Sequence, residues 1–90
     1  MTSGENAYQI KFSRSARKEL EALDAALVNR IFPRIEALRN EPRPSGCRKL
    51  VGSENTWRIR VGDYRVLYSL DDKSNTIDII AVRHRSKAYE

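Results

Sequence analysis

The spacing of apolar residues divides the chain into a helical half and a strand-forming half. From Tyr8 to Phe12, apolar residues alternate with polar ones, as in a half-buried strand. Two segments with helical spacing follow, and Ser13 and Asp24 stand where their N-caps are expected. The apolar residues of the two helical faces are Ala16, Leu20, Leu23, Leu27, Val28, Ile31, Ile35 and Leu38. We therefore predict one strand followed by two amphipathic helices.

The second predicted helix contains a proline and ends in a proline-rich loop. A proline inside a helix removes one backbone hydrogen bond, so we expect the helix to bend at Pro33 and to continue beyond it. Residues 40–46 include Pro42, Pro44 and Gly46, which end the helix and form a surface loop.

A β-hairpin is the clearest element of the second half. Apolar residues recur at every second position in Trp57, Ile59 and Val61 and again in Tyr64, Val66 and Tyr68, and Gly62-Asp63 between the two sets is a typical two-residue turn. This turn pairs Val61 with Tyr64 and continues outward from there. The hairpin therefore has a predicted apolar face for the core and a predicted polar face.

A third strand and the order of the elements indicate the fold class. A second turn at Asp71–Asn75 leads to a β-branched strand, Thr76–Val82. The order of one strand, two helices and three strands predicts an α+β fold, in which an antiparallel meander is packed by both helices on one face. We expect a single domain over residues 1–90, with residues 1–6 disordered.

Composition excludes several classes of protein. With one cysteine, Cys47, and one histidine, His84, we expect neither an internal disulfide nor a Cys/His zinc site. There is no apolar run of the about 18 residues that a membrane helix needs, and no signal-peptide pattern. Glycine-rich phosphate loops and catalytic serine motifs are absent from the sequence. We expect a cytoplasmic protein without a metal or cofactor.

Positive charge is concentrated on the polar face of the hairpin. The net charge is +5, and the excess lies around residues 58–65 and at the C-terminus. The hairpin register places Arg60 opposite Arg65, a like-charge pair that destabilises a sheet by a few tenths to ~1 kcal/mol. Arginines fixed on a sheet suit a phosphate, since each offers bidentate hydrogen bonds and stays charged. The alternatives are that they keep the face soluble or pair with nearby acids: Glu54, Asp63 or Asp78.

The C-terminal tail carries further candidate residues. The tail, residues 83–90, follows the strand next to the hairpin, so its cations should reach the same surface. Continuing the register from the second turn places Arg83 level with Tyr64, near the hairpin end. Tyr89 is suited to stacking on a nucleobase or to covering the core edge. His84 is suited to acid–base chemistry or to a plain surface role.

Together these motifs resemble the RelE/ParE superfamily of type II toxin–antitoxin toxins. The Arg-x-Arg-x-Gly-Asp-Tyr-Arg hairpin and the His-Arg-x-x-x-Tyr ending are specific in combination. The resemblance implies a compact α+β fold with two N-terminal helices and a twisted antiparallel sheet. Its residues are Tyr8-Gln9-Ile10, Leu38, Pro42, Gly46, Lys49-Leu50, the segment 57–68, Val82-Arg83-His84-Arg85 and Tyr89.

The resemblance also implies an activity and assigns roles by position. RelE-like members cleave mRNA in the ribosomal A site, without a metal, by attack of a ribose 2′-hydroxyl on the adjacent phosphate. Arg65 matches the transition-state arginine of these enzymes, and Arg58 and Arg60 match a pair of basic strand residues. The remaining matches are Arg83 as proton donor, Arg85 and Tyr89 as further catalytic residues, and Lys49 and His84 in substrate binding.

The resemblance does not identify the base that accepts the proton of the 2′-hydroxyl. Some relatives carry lysines where this chain has Arg58 and Arg60, and a guanidinium with a pKa above ~12 is a poor base. His84 or the ribosome would fill that role. Val51 stands where one subgroup has a basic residue that stacks on the substrate.

Three functions remain to be separated. The first is a ribosome-dependent endoribonuclease, the second a ParE-like inhibitor of DNA gyrase, and the third an inactive domain that binds antitoxin and operator DNA. The complete arginine set with Tyr89 favours the first. The expected partners are a RelB-like antitoxin, the ribosome and mRNA, with operator DNA reached only through the antitoxin complex and no membrane involved.

Overall fold

The computed structural model describes residues 7–87, which form two helices and one five-stranded sheet. The elements are β1 (Gln9–Phe12), α1 (Arg14–Glu21), α2 (Ala25–Ala37), β2 (Arg48–Lys49), β3 (Thr56–Val61), β4 (Tyr64–Asp71), β5 (Thr76–His84) and a 3₁₀ turn (Arg85–Lys87). The strand order is β1-β5-β4-β3-β2. This is the predicted α+β fold. The expected disorder of residues 1–6 and every role of Tyr89 lie outside the described residues.

The predicted meander is present, and two further pairings complete the sheet. β3, β4 and β5 are successive antiparallel neighbours, as expected. β1 joins the outer edge of β5 in parallel, so the sheet is mixed rather than wholly antiparallel. β2 was not predicted, because a two-residue strand shows no periodicity; it pairs antiparallel with β3.

Both helices begin at the predicted caps. The Ser13 hydroxyl accepts a hydrogen bond from the backbone N–H of Ala16 at 3.0 Å. The Asp24 carboxylate accepts one from the N–H of Leu27 at 2.9 Å. α2 continues through Pro33 without a break, as expected. In the part of the chain that the structure describes, no helix is long and apolar enough to cross a bilayer.

The core lies between the helices and one side of the sheet, which we call the helix face. The helices contribute Ala16, Ile31 and Ile35 to this core, and Leu38, the C-cap of α2, is buried beside them. The sheet contributes Ile59, Val61, Val66, Tyr68, Leu70, Ile77, Ile79 and Val82. Trp57 and Tyr64 pack at its margin. The predicted core face of the hairpin is therefore confirmed.

The loop after α2 is held against the sheet by polar contacts. The Tyr68 hydroxyl donates to the carbonyl of Pro42 at 2.8 Å, and burial raises the pKa of this tyrosine. The Asp72 carboxylate accepts from Arg43 at 2.8 Å and from the Tyr8 hydroxyl at 2.6 Å. These contacts, first that of Arg43 and then that of Tyr8, hold the pKa of Asp72 below its usual value. The Arg43 guanidinium also lies 5.1 Å from the ring centre of Trp57.

Candidate functional site

The hairpin register places three arginines on one face of the sheet. Arg60 pairs with Arg65 and Arg58 with Leu67, as the sequence predicts. Gly62 has φ 61, the positive value that the first central position of a type II′ turn requires. Directly paired residues of antiparallel strands point to the same side. Since the intervening residues face the helices, all three arginines lie on the opposite side.

A β-bulge brings Arg83 to the same side and level with Arg65. β4 and β5 pair Tyr68 with Ile79 and Leu67 with Ala81, so Ile80 has no partner on β4. This extra residue shifts the register by one and exchanges the two faces beyond it. The predicted pairing of Arg83 with Tyr64 is therefore wrong, and Arg83 pairs with Arg65. The strand also extends through His84, beyond the predicted end at Val82.

Arg48 is a further arginine of this side that the sequence reasoning missed. It pairs with Arg58 across β2 and β3, so the two side chains share a face. Lys49, the predicted substrate contact, pairs with Trp57 and faces the helix side. We call the side opposite the helices the arginine face, defined by Arg48, Arg58, Arg60, Arg65 and Arg83.

The arginines form two rows with an apolar floor. One row crosses three strands through Arg60, Arg65 and Arg83; the other continues from Arg48 and Arg58 to the facing pair Leu67 and Ala81. Leu67 is 6% exposed and Ala81 1% exposed, and neither belongs to the core cluster under the helices. The apolar floor is therefore almost completely covered, and what this side of the sheet presents to solvent is mainly the cations.

Arg65 lies at the centre of its row and is held by backbone carbonyls. The residue is 9% exposed. Its guanidinium donates to the carbonyl oxygens of Gly62 at 3.3 Å and Tyr64 at 3.1 Å. These neutral acceptors orient the group without cancelling its charge. Between residues 7 and 87, the ion pairs within 4 Å are Arg43–Asp72 and Arg83–Glu19, so neither Arg60 nor Arg65 is neutralised by a described carboxylate.

His84 and Arg85 lie at the turn end of the sheet. His84 pairs with Tyr64, meets its ring edge-on at 5.5 Å and therefore faces the helix side. Its Nδ1 accepts a hydrogen bond from the backbone N–H of Ser86 at 3.2 Å. The backbone N–H of Arg85 donates to the carbonyl of Asp63 at 2.7 Å, which ties the tail to the hairpin turn. Strand alternation thus separates His84 from Arg65 and Arg83.

The described side chains form no cluster suited to a metal ion. Over residues 7–87, no group of three or more His, Cys, Asp or Glu side chains is placed to hold an ion. What the arginine face offers chemically is fixed positive charge and hydrogen-bond donors, which suit the stabilisation of a developing phosphate charge.

Comparison with known proteins identifies the family. A sequence model of the family described as "ParE toxin of type II toxin-antitoxin system, parDE" matches residues 10–89. The chain belongs to the RelE/ParE superfamily of type II toxins. It is 36% identical to Toxin RelG of Mycobacterium tuberculosis, over 91% of this chain and 95% of that protein. It is 31% identical to Toxin RelE of the same organism, over 97% of this chain and 91% of that protein.

Among the members of this superfamily, the chain is similar in structure to RelE toxins. The toxin chain of the archaeal RelE–RelB complex from Pyrococcus horikoshii matches with a TM-score of 0.78 and 32% identity, over 91% of this chain and 99% of that one. The RelBE2 complex of Mycobacterium tuberculosis matches with a TM-score of 0.78 and 29% identity, over 90% and 94%. The two helices and the mixed five-stranded sheet are therefore those of a RelE-like toxin.

Proposed function

We propose that this toxin is a ribosome-dependent endoribonuclease that cleaves mRNA in the A site. The observation that carries the proposal is the row of Arg60, Arg65 and Arg83 across three adjacent strands. Cα atoms of directly paired residues lie about 4.5–5.5 Å apart, so neighbouring guanidiniums of the row can reach one phosphodiester. Such a row suits RNA, whose backbone carries one negative charge per phosphate.

The proposed reaction needs mainly charge stabilisation. Attack of the ribose 2′-oxygen on phosphorus forms a pentacoordinate phosphorane, and the bond to the 5′-oxygen then breaks. Arg65, oriented by two backbone carbonyls, stabilises the charge on the non-bridging oxygens. Arg83 donates a proton or a hydrogen bond to the leaving 5′-oxygen, and Arg58 and Arg60 hold the backbone. Fixing these groups on strands limits the reorganisation that the reaction requires.

The proton acceptor for the 2′-hydroxyl is assigned to the ribosome. His84 faces away from Arg65, and its Nδ1 already accepts a hydrogen bond from Ser86. Arginines are poor bases because their pKa lies above ~12. A base supplied by the ribosome explains why cleavage would require it. Arg85 and Tyr89 keep the catalytic roles that the resemblance gives them, whereas Lys49, which faces the helix side, takes no part in the proposed site.

The proposed partners follow from the relatives. Structures of the superfamily were solved as RelE–RelB complexes in Pyrococcus horikoshii and Methanococcus jannaschii, which supports a RelB-like antitoxin as the partner of this chain. The antitoxin would cover the toxin in the cytoplasm and link it to operator DNA. Release of the toxin would then stop translation.

The test compares the two activities found under this fold. Purified toxin is added to translating ribosomes and to free mRNA, and primer extension maps the cuts; a parallel assay measures supercoiling by DNA gyrase. We expect cuts only on ribosome-bound mRNA and normal supercoiling. Altered supercoiling with intact mRNA would instead support gyrase inhibition, which the ParE description of the family keeps as the second candidate. No effect in either assay would indicate an inactive antitoxin-binding domain.

A further inference from the structure

Glu19 joins α1 to the end of β5 through both of its carboxylate oxygens. Oε1 accepts a hydrogen bond from the backbone N–H of Val82 at 2.8 Å, and Oε2 accepts one from Nε of Arg83 at 2.8 Å. The Glu19 and Arg83 side chains are 28% and 31% exposed. A half-buried carboxylate with two such bonds, one of them charge-assisted, is more firmly placed than a typical surface ion pair.

The N-cap residue of α1, Ser13, attaches the start of this helix to the edge of β5. β1 pairs with β5 only as far as Ile79, which leaves the rest of that edge open to α1. The Ser13 backbone N–H donates to the carbonyl of Ile79 at 2.9 Å, and its hydroxyl donates to that of Ile80 at 2.9 Å. The N-cap of α1 is therefore attached at the bulge, and Glu19 meets Val82 further along the same edge.

The contact reaches the arginine that the bulge brings beside Arg65. An arginine side chain has about 2 kcal/mol of rotamer entropy, so a charge-assisted hydrogen bond to its guanidinium restricts orientations that the side chain would otherwise sample. A hydrogen bond at Nε restricts the direction in which the guanidinium points, and its terminal nitrogens lie on the other edges of the group. The carboxylate acts against anion binding nearby, since it places a negative charge close to the proposed phosphate position.

We propose that Glu19 is a positioning residue that orients the Arg83 guanidinium toward the phosphodiester held by Arg65. The proposal rests on the proposed nuclease function. It predicts that loss of the Glu19 carboxylate slows RNA cleavage without weakening RNA binding. Removing the negative charge should leave RNA binding unchanged or tighter, whereas loss of orientation should slow the reaction, because small misplacements of a catalytic group cost up to about 100-fold.

The variant Glu19→Gln tests this with little disturbance of the fold. Its amide oxygen still accepts from Val82, but its NH₂ group cannot accept from Arg83. Glu21→Gln is the matched control, since it removes the same charge from an exposed position of the same helix. Single-turnover cleavage of ribosome-bound mRNA is measured as a function of toxin concentration. We expect Glu19→Gln to lower the maximal rate by about tenfold or more. Its half-saturating concentration should be unchanged or lower, and Glu21→Gln should match the wild type.

A double mutant and an exchange measurement complete the test. In an Arg83→Ala background, Glu19→Gln should have almost no further effect, because its only route to the reaction is through Arg83. Slow hydrogen exchange at the Val82 amide in Glu19→Gln should show that the edge of β5 is intact.

Three results would overturn the proposal. Equal maximal rates for Glu19→Gln and Glu21→Gln would leave the nuclease function standing and remove the positioning role. Faster cleavage by Glu19→Gln would show that the ion pair restrains Arg83. A wild-type protein with a protected Val82 amide but no cleavage on ribosomes would refute the nuclease function, and the positioning role with it.

Discussion

The two faces of the sheet differ in what holds their side chains. On the helix face, Ile35, Tyr68 and Ile79 are fully buried and are held by packing of apolar surface. On the arginine face, Arg60 and Arg65 stand directly opposite each other, and carbonyl groups rather than carboxylates orient Arg65. The first arrangement stabilises the fold, whereas the second opposes it and concentrates charge. Stability and activity should therefore respond to mutations on different faces.

The largest stability effect should come from the helix face. Ile35 is 0% exposed in the last turn of α2. Ile35→Ala should lower the free energy of unfolding by about 2–5 kcal/mol, because it removes buried methyl groups and leaves a cavity. Denaturant unfolding measures the change. Val51→Ala, at a fully exposed position, should change it by less than about 0.5 kcal/mol. Similar effects of the two variants would show that α2 does not pack as described.

On the arginine face, by contrast, a substitution should increase the stability of the protein. Arg60→Thr removes one charge from the Arg60–Arg65 pair and introduces a residue that favours strands. It should raise the free energy of unfolding by a few tenths to ~1 kcal/mol, while cleavage on ribosomes falls. A variant that is less stable than the wild type, or equally active, would contradict the contrast between the faces.

The smallest effect should be a pH-dependent one at the paired charges near Tyr8. Arg43, and then Tyr8, hold the pKa of Asp72 below its value of about 3.9 in an unfolded chain. Asp72 therefore stabilises the fold above that value, and the stabilisation is lost as the pH falls through the lower pKa of the folded protein. Asp72→Asn should lower Tm at pH 7, with the difference from wild type disappearing in acid.

The control for this titration is Glu36→Gln, an exposed change on α2. It removes a charge of the same sign without touching the Arg43 contact. If the Tm of Asp72→Asn still differed from that of the wild type below the pKa of Asp72, the effect would come from the shape of the side chain and not from its charge.

Local signals account for the parts of the fold that the sequence predicted. Ser13 and Asp24 cap helices through bonds to residues three positions away, and Gly62-Asp63 sets the whole hairpin register from one turn. Such features depend on neighbours in the chain, so the residue types reveal them. The arginine pair at the centre of the candidate site follows directly from that register.

Features that depend on distant residues escaped prediction. The position of Arg83 is set by the bulge at Ile80, and the apolar run from Ile79 to Val82, which breaks strand alternation, was the available signal. Arg48 joins the site through a two-residue strand, too short to show a period. The contact of Glu19 with Arg83 joins residues 64 positions apart and has no sequence signature.

The most direct test of the site is the cleavage of ribosome-bound mRNA by Arg65→Ala. We predict a loss of about 10²–10³-fold, as expected when one stabilising group is removed from a developing charge. Affinity for the antitoxin should stay within about tenfold, or ~1.4 kcal/mol. If Arg65→Ala cleaved mRNA at the rate of the wild type, the arginine face could not be the catalytic surface.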